Sequence, residues 1–367
     1  MAGSTFGTLF RISTWGESHG KAVGVTVDGC PAGLPLSEAD IQKFLDRRKP
    51  GQSKFTTQRS EDDAVEILSG IFEGKTTGTP ISMVIYNKTQ RSTDYSDIAS
   101  YYRPGHADYT FDEKYGFRDY RGGGRSSGRE TIGRVAAGAI AAKLLEIFGI
   151  SVVAYSKSIG EVEISSERFD ITERENNPVA MPDKEAALKA QELLEKKIEE
   201  KDSVGGIVEC VVKGMKAGVG EPVFDKLDAR LSQAIMSIGA VKGFEIGAGF
   251  AVANMAGSEN NDSFTTDSDD NIIKKTNNAG GILGGISDGS DIVLRAAFKP
   301  TPSIYRMQET VNKNHENINI EIKGRHDPII VPRAVVVVEA MTAITVLDML
   351  MISMTSTVDG MKRFFER

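Results

Sequence analysis

The order of the predicted strands and helices most constrains the fold of this 367-residue chain. Apolar, β-branched segments follow one another without the regular helical crossovers that a parallel sheet requires. We therefore expect an α+β fold in which antiparallel sheets pack on helices, within a single domain that spans residues 1–367. Strands are predicted at residues 22–28, 65–72, 81–85, 151–164, 206–212, 242–253, 292–298 and 318–323.

The helix predicted between Ser37 and Pro50 has the clearest sequence signals. Ser37 caps it, Asp40 stands three residues later, and an apolar face follows. Arg47 and Arg48 fall in its last turn, where they either complement the helix dipole or face a ligand. Further helices are predicted at residues 131–148, 184–201, 224–238, where Phe224 begins the apolar face, and within 332–354.

No membrane span is expected, because Glu339 and Asp348 interrupt the most apolar stretch of the chain. The first residues lack an apolar signal core. Cys30 and Cys210 are far apart and outside any CxxC spacing, which is typical of reduced thiols. Together these features predict a cytoplasmic protein.

Residues 257–278 are polar and poor in strand signals, so we expect a long surface loop near a ligand.

The segment Arg118–Thr131 carries the strongest functional signal. It combines three consecutive glycines, two serines and four arginines, and a predicted helix begins directly after it. Backbone amides, hydroxyls, guanidinium groups and a helix N-terminus all favour an oxyanion, most plausibly phosphate. A flexible linker is the alternative, but linkers rarely hold four arginines. The net charge of −7 argues against nucleic acid, and neither GxxxxGK[ST] nor a GxGxxG after a strand is present.

Two of the four histidines, His19 and His106, lie on glycine-flanked turns. A single turn histidine is more often structural, but here backbone can approach a ligand and the imidazole can transfer a proton. No histidine or cysteine spacing indicates a metal site. Residues 324–328 and 299–303 form two further polar turns. The first places an arginine, a histidine and an acid on one turn, and an ordinary turn with Asp before Pro is the alternative. The second offers a phosphate contact.

These segments together resemble the chorismate synthase family. The matching motifs are residues 16–20, 103–109, 120–131, 279–287, 299–303 and 324–328, in the family's order and over nearly the whole chain. The resemblance implies removal of phosphate and a proton from 5-enolpyruvylshikimate 3-phosphate, with reduced FMN required and no net redox change. It also implies NADPH as a source of reducing equivalents, a homotetramer, and no nucleic-acid or membrane partner.

The resemblance also implies roles for individual residues. His19 would protonate the leaving phosphate, His106 would act on the protonation state of the reduced flavin, and Asp327 would assist proton removal, with Ser18 and Ser127 supporting the relay. Substrate or NADPH contacts carry over to Arg48, Lys54, Arg103 and Arg129. FMN contacts carry over to Arg125, Ser126, Ser127, Gly239, Ala240, Gly284, Lys299, Pro300, Thr301, Pro302, Ser303 and Arg325.

Three residues depart from the family pattern: Gly239 replaces a common amide, Lys54 a common arginine, and Pro302 a usual serine. The implied fold is a sandwich in which a central helical layer lies between two antiparallel β-sheets. A pseudo-two-fold is also indicated by the similar order of Gly-Arg pairs at 124–125 and 324–325. Two other functions stay open at this point: a flavin oxidoreductase with net electron transfer, and a non-catalytic binder of phosphorylated metabolites or RNA.

Overall fold

A computed structural model describes residues 3–51, 55, 62–88, 97–322 and 327–366 of the chain. Its helices alternate with strands irregularly, as an α+β fold requires. The α-helices are α1 (Glu38–Arg48), α2 (Asp108–Tyr115), α3 (Thr131–Ile147), α4 (Lys184–Glu199), α5 (Leu227–Met236), α6 (Gly257–Asn260), α7 (Val331–Ser353) and α8 (Val358–Phe365).

Within these described ranges, every strand pair is antiparallel. The strands are β1 (Thr5–Phe6), β2 (Arg11–Gly16), β3 (Ala22–Asp28), β4 (Val65–Ile67), β5 (Ile71–Phe72), β6 (Lys75–Thr76), β7 (Ile81–Tyr86), β8 (Ser151–Ile159), β9 (Val162–Glu163), β10 (Gly206–Lys213), β11 (Val241–Ile246), β12 (Phe264–Thr266), β13 (Ile272–Lys274), β14 (Ile282–Leu283), β15 (Ile286–Ser287), β16 (Ile292–Phe298), β17 (Met307–Val311) and β18 (Asn317–Glu321). Two five-stranded sheets have the orders β1-β2-β3-β7-β4 and β11-β16-β10-β8-β9.

The helices α3 and α7 pack along each other, and each lies mainly against a different sheet. α3 lies mainly against β2 and β3, with a smaller contact to β8, whereas α7 lies against β8 and β10. Small residues permit their close approach: a Cβ added to Gly138 would lie 2.3 Å from the Cβ of Ala340. The core therefore runs from one sheet through these helices to the other, as its buried side chains show.

The predicted α+β class and antiparallel pairing are confirmed, and most element predictions are correct within a few residues. The helix after Ser37 begins at Glu38, and the Asp40 carboxylate accepts hydrogen bonds from the Ser37 amide and hydroxyl, both at 2.9 Å. Two predicted strands are split, since 65–72 contains β4 and β5 and 151–164 contains β8 and β9. The run 332–354 is helical, with Pro332 in the first turn of α7.

Three predictions are wrong in detail. The segment 257–278 is not a long loop poor in strands. It contains a short helix and the β12–β13 hairpin. The strand predicted at 242–253 ends at Ile246 and is followed by a 3-10 helix at Gly249–Asn254. Phe224 precedes α5 and is 90% exposed, so it does not belong to that helix's apolar face.

The helix α7 is long and apolar enough to cross a membrane by length and composition, the only such helix in the described part of the chain. However, 83% of the most apolar 18-residue stretch of this helix is buried inside the protein. The two acids inside this helix both have polar partners. Glu339 pairs with Arg47 and Arg174, and Asp348 accepts hydrogen bonds from the backbone amides of residues 8–10.

Candidate active site

The glycine-rich segment before α3 folds into two consecutive 3-10 turns, Gly124–Ser126 and Gly128–Glu130. Gly122, Gly123 and Gly124 all have positive φ, which lets the backbone reverse tightly. The Ser127 hydroxyl caps the second turn by accepting a hydrogen bond from the Arg129 amide at 3.3 Å. The predicted tight loop at a helix N-terminus is therefore confirmed, with Ser126 and Ser127 on it.

The four arginines of this segment do not all face the loop, so the prediction of one shared anion is wrong for Arg118. Its buried guanidinium donates to the backbone carbonyls of residues 98 and 101 and pairs with Asp112 at 3.0 Å. Arg121 is on the surface and is bound by the neighbouring Asp119 carboxylate. Arg125 extends to β2, where it donates to Thr14 and to the carbonyl of residue 16. A separate cluster holds Arg129.

Ser18 and His19 form a turn that packs directly on this loop. The Ser18 hydroxyl lies 3.2 Å from Nδ1 of His19 and 3.4 Å from the Gly122 carbonyl oxygen. A Cβ added to Gly122 would lie only 2.1 Å from Cε1 of His19. The imidazole therefore sits against the glycines, and Gly122 is required for this contact as well as for its backbone conformation.

The turn that carries His106 is fixed by a buried ion pair. Both oxygens of the Asp108 carboxylate bind the Arg103 guanidinium at 2.8 Å, and the Arg103 amide donates to Asp108 at 3.0 Å. Arg103 and Asp108 are 8% and 5% exposed. In this structure the Arg103 charge is thus held by a carboxylate, and the predicted role of Arg103 in binding substrate stays a prediction.

The imidazole of His106 is hydrogen bonded at both nitrogens. Nδ1 lies 3.0 Å from the Pro104 carbonyl oxygen, and Nε2 lies 2.9 Å from the Ser303 hydroxyl. Burial and the nearby Arg103 charge lower the pKa of His106 to about 4. The ring is therefore neutral at pH 7. Because a carbonyl can only accept, Nδ1 carries the proton and Nε2 accepts from Ser303.

The predicted FMN residues 299–303 lie beside this turn. Lys299 donates from Nζ to the carbonyl of residue 105 at 2.8 Å, and its amide donates to the Ala240 carbonyl at 3.0 Å. Pro302 packs against the same turn. Thr301 has a buried hydroxyl with no hydrogen-bond partner among the described residues. Pro300 stands between these contacts, next to the strand β16.

The remaining predicted FMN glycines have open surroundings. A Cβ added to Gly239 or to Gly284 would meet no atom of the described structure within 4 Å. Gly284 has a φ of +60° in the turn between β14 and β15, and Ala240, which follows Gly239 in the chain, has a φ of +72°. Space for a ligand therefore exists at these turns.

Arg48 and Arg129 share a buried carboxylate, that of Asp63. Asp63 accepts from Nη1 of Arg48 at 3.2 Å and from Nη1 of Arg129 at 3.0 Å, and its side chain is 0% exposed. Arg48 also donates to the Thr131 hydroxyl and to the carbonyl of residue 128. Burial and the neighbouring Arg333 charge lower the pKa of Arg48, and Asp63 opposes this effect.

Asp327 joins this cluster through Arg333. Nη1 of Arg333 lies 2.6 Å from the Asp327 carboxylate, and its Nε donates to the Arg48 carbonyl at 3.1 Å. Residues 203 and 204 link Asp327 to the predicted FMN residues, because the amide of residue 204 donates to the carbonyl of residue 328 and the Ser203 hydroxyl donates to the carbonyl of residue 301. Lys54 and Arg325 lie outside the described residues.

The structure therefore brings most of the predicted residues into one continuous set of contacts. Asp63 and Asn87 were not predicted from the sequence, although both contact Arg129. Neither lies in a recognisable motif, and their importance arises only from tertiary contacts. Among the described residues, no group of three acidic, histidine or cysteine side chains is placed to hold a metal ion.

Comparisons with known proteins agree on one family. The family profile described as chorismate synthase matches residues 10–351. A chorismate synthase of Lachnospira eligens is 66% identical over 367 residues, with both chains fully covered. One of Methanosarcina mazei is 60% identical over 351 residues, covering 95% of this chain and 96% of its own. A crystal structure of chorismate synthase superposes with a TM-score of 0.76 at 32% identity, covering 98% of this chain and 97% of that one.

Proposed function

This chain belongs to the chorismate synthase family, and we propose that the two histidine turns and the loop before α3 together form its active site. The reaction of the family is the last step of the shikimate pathway, the elimination of phosphate from 5-enolpyruvylshikimate 3-phosphate to give chorismate. The observation that carries our assignment is the packing of His19 against Gly122 in the loop. This contact supports a proton donor beside a phosphate site.

In the proposed site, the loop and its arginines receive the phosphate of the substrate. The amides after Ser127 and the guanidinium of Arg129 would stabilise the negative charge that grows on the leaving group. His19 would give that phosphate a proton, and Ser18 would orient the imidazole through its hydroxyl. Arg48, Lys54 and Arg103 would contribute further positive charge around the substrate or NADPH.

The second turn would face reduced FMN. Thr301 and Lys299 offer a buried hydroxyl without a described partner and an ammonium group, while Gly239 and Gly284 leave room beside them, so these residues fit a phosphorylated, planar cofactor. When bound, reduced FMN supplies an electron-rich ring for an elimination without net redox change, with NADPH as a source of reducing equivalents.

The chain's own residues would set the environment of the flavin. His106, neutral and bonded to Ser303, would act on the protonation state of the cofactor. Asp327 would assist removal of the substrate proton, with Arg333 orienting its carboxylate through a hydrogen bond. The remaining FMN contacts would come from the following residues: Arg125, Ser126, Ser127, Ala240, Pro300, Pro302, Ser303 and Arg325.

We also propose the finer architecture. The contacts of α3 with one sheet and of α7 with the other support a central helical layer between two sheets with a pseudo-two-fold. Residues 1–367 would form a single domain, with 257–278 as an active-site segment. The protein would be a cytoplasmic homotetramer without nucleic-acid or membrane partners.

Anaerobic incubation with 5-enolpyruvylshikimate 3-phosphate and reduced FMN tests this assignment, with chorismate and free phosphate as the measured products. We expect His19→Ala and His106→Ala to slow turnover by about a hundredfold or more while substrate binding survives. Equal product formation with oxidised flavin would contradict the cofactor assignment. Full activity of both histidine variants would contradict the site.

A further inference from the structure

Asn87 connects two groups of the proposed site with a single side chain. Its Nδ2 donates to the carbonyl oxygens of Glu17 and Gly20, at 3.0 and 2.8 Å, on either side of Ser18 and His19. Its Oδ1 accepts a hydrogen bond from Nε of Arg129. All three described hydrogen bonds of the amide therefore run either to the histidine turn or to the arginine.

The position of Asn87 is itself fixed by a sheet. It follows β7 directly, and β7 pairs with both β3 and β4. The Asn87 amide also donates to the carbonyl of Lys21, the residue just before β3. The side chain thus projects from a rigid element toward two turns whose own backbones are irregular.

Arg129 is held from its other end by Asp63. One carboxylate oxygen accepts from Arg129 and the other from Arg48, and the side chain of Asp63 is completely buried. Asp63 also has a φ of +45°, which is unfavourable for a residue with a Cβ and is seen mainly where surrounding contacts impose it. The Arg129 guanidinium consequently has a neutral acceptor on one side and a charged one on the other.

We propose that Asn87 is a positioning residue that sets the distance between His19 and Arg129. This inference rests on the proposed function, in which His19 protonates the phosphate that Arg129 binds. An amide suits the task because it donates to two carbonyls and accepts from a guanidinium without carrying charge. Proton transfer requires heavy atoms within hydrogen-bond reach, so a small shift of the turn affects the chemical step more than binding.

Two substitutions separate the contact of Asn87 with the histidine turn from the contact of Asp63 with Arg129. Asn87→Asp keeps an acceptor for Arg129 but places a carboxylate oxygen opposite the carbonyls of Glu17 and Gly20, which it repels. We expect kcat to fall at least about tenfold with KM changed less than about threefold. Asp63→Asn loosens Arg129 instead, and here we expect KM for the phosphorylated substrate to rise about tenfold with a smaller change in kcat.

Matched controls exist for both changes. Asn176→Asp alters an exposed asparagine whose side chain donates only to a carbonyl in its own 3-10 turn, and Asp62→Asn alters the exposed neighbour of Asp63. Steady-state kinetics under anaerobic conditions with reduced FMN give kcat and KM for each variant, and circular dichroism with thermal unfolding confirms folding. Both controls should retain the wild-type parameters.

A wild-type kcat for Asn87→Asp would overturn the proposal, as would equal effects of Asn87→Asp on kcat and KM. If Asp63→Asn does not fold, the Asn87 variant and its control decide alone. The reference variant His19→Ala distinguishes a failure of the proposed function from a failure of the role of Asn87. If it keeps full activity, the proposed function fails; if it is slow while Asn87→Asp is fast, only the role of Asn87 fails.

Discussion

The neutral state of His106 gives the most quantitative prediction. The pKa of this imidazole is lowered from 6.5 to about 4, first by burial and second by Arg103. Since one pKa unit corresponds to about 1.4 kcal/mol, a proton on this ring costs up to about 3 kcal/mol relative to an exposed histidine. We expect the NMR signal of His106 to show no titration above about pH 5.5.

The same shift fixes the sign of the pH dependence of stability. Between pH 6.5 and pH 4 the unfolded chain binds a proton at His106 that the folded chain does not bind. The free energy of unfolding therefore falls as the pH falls through this window, and the contribution is fully present above pH 6.5. The variant His106→Gln identifies the NMR signal and should remove this part of the pH dependence. An imidazole that titrates near pH 6.5 would refute the reasoning.

Two further predictions concern contacts elsewhere in the site and core. Gly122→Ala should lower kcat at least about tenfold, because the new Cβ would meet His19 at 2.1 Å. Gly74→Ala, at a similar φ of +74° but with open space, is the control, and equal activity of the two variants would contradict the steric argument. Glu339→Gln should lower the free energy of unfolding by about 2–3 kcal/mol, since the buried Glu339 carboxylate is the shared partner of two partly exposed guanidinium groups, those of Arg47 and Arg174. Denaturant unfolding measures this loss, and a loss below about 1 kcal/mol would contradict the prediction.

The parts of the fold that could be predicted are those encoded by local signals. The first helix illustrates this, because Ser37 and Asp40 supply its N-terminal hydrogen bonds from residues only three apart. Antiparallel pairing also followed from the lack of crossovers. In contrast, the hairpin within 257–278 has short strands of mixed polarity, and its buried Lys274 pairs with Asp262 and Asp288. Such an interior ion pair gives a segment a polar sequence although it is folded.

The motifs of the site could be predicted from the sequence, but the partners that their side chains bind could not. Arg118 and Arg129 belong to the same segment, yet one is buried against Asp112 and the other contacts Asn87 and Asp63. Sequence spacing cannot distinguish them, because a guanidinium binds a protein carboxylate as readily as a phosphate. The choice depends on which acid the fold brings near: Asp112 is only 6 residues from Arg118, whereas Asp63 is 66 residues from Arg129.

The charges around Arg48 bear on the proposed binding of an anion by these arginines. Among the described contacts, three guanidinium groups, those of Arg48, Arg129 and Arg333, meet two carboxylates, those of Asp63 and Asp327. Burial and the Arg333 charge lower the pKa of Arg48, which is the expected sign for a cluster with too little negative charge. A bound phosphate would supply that charge. Among the described contacts, these three guanidinium groups thus outnumber their carboxylate partners, which supports the proposed binding of the substrate phosphate by Arg48 and Arg129.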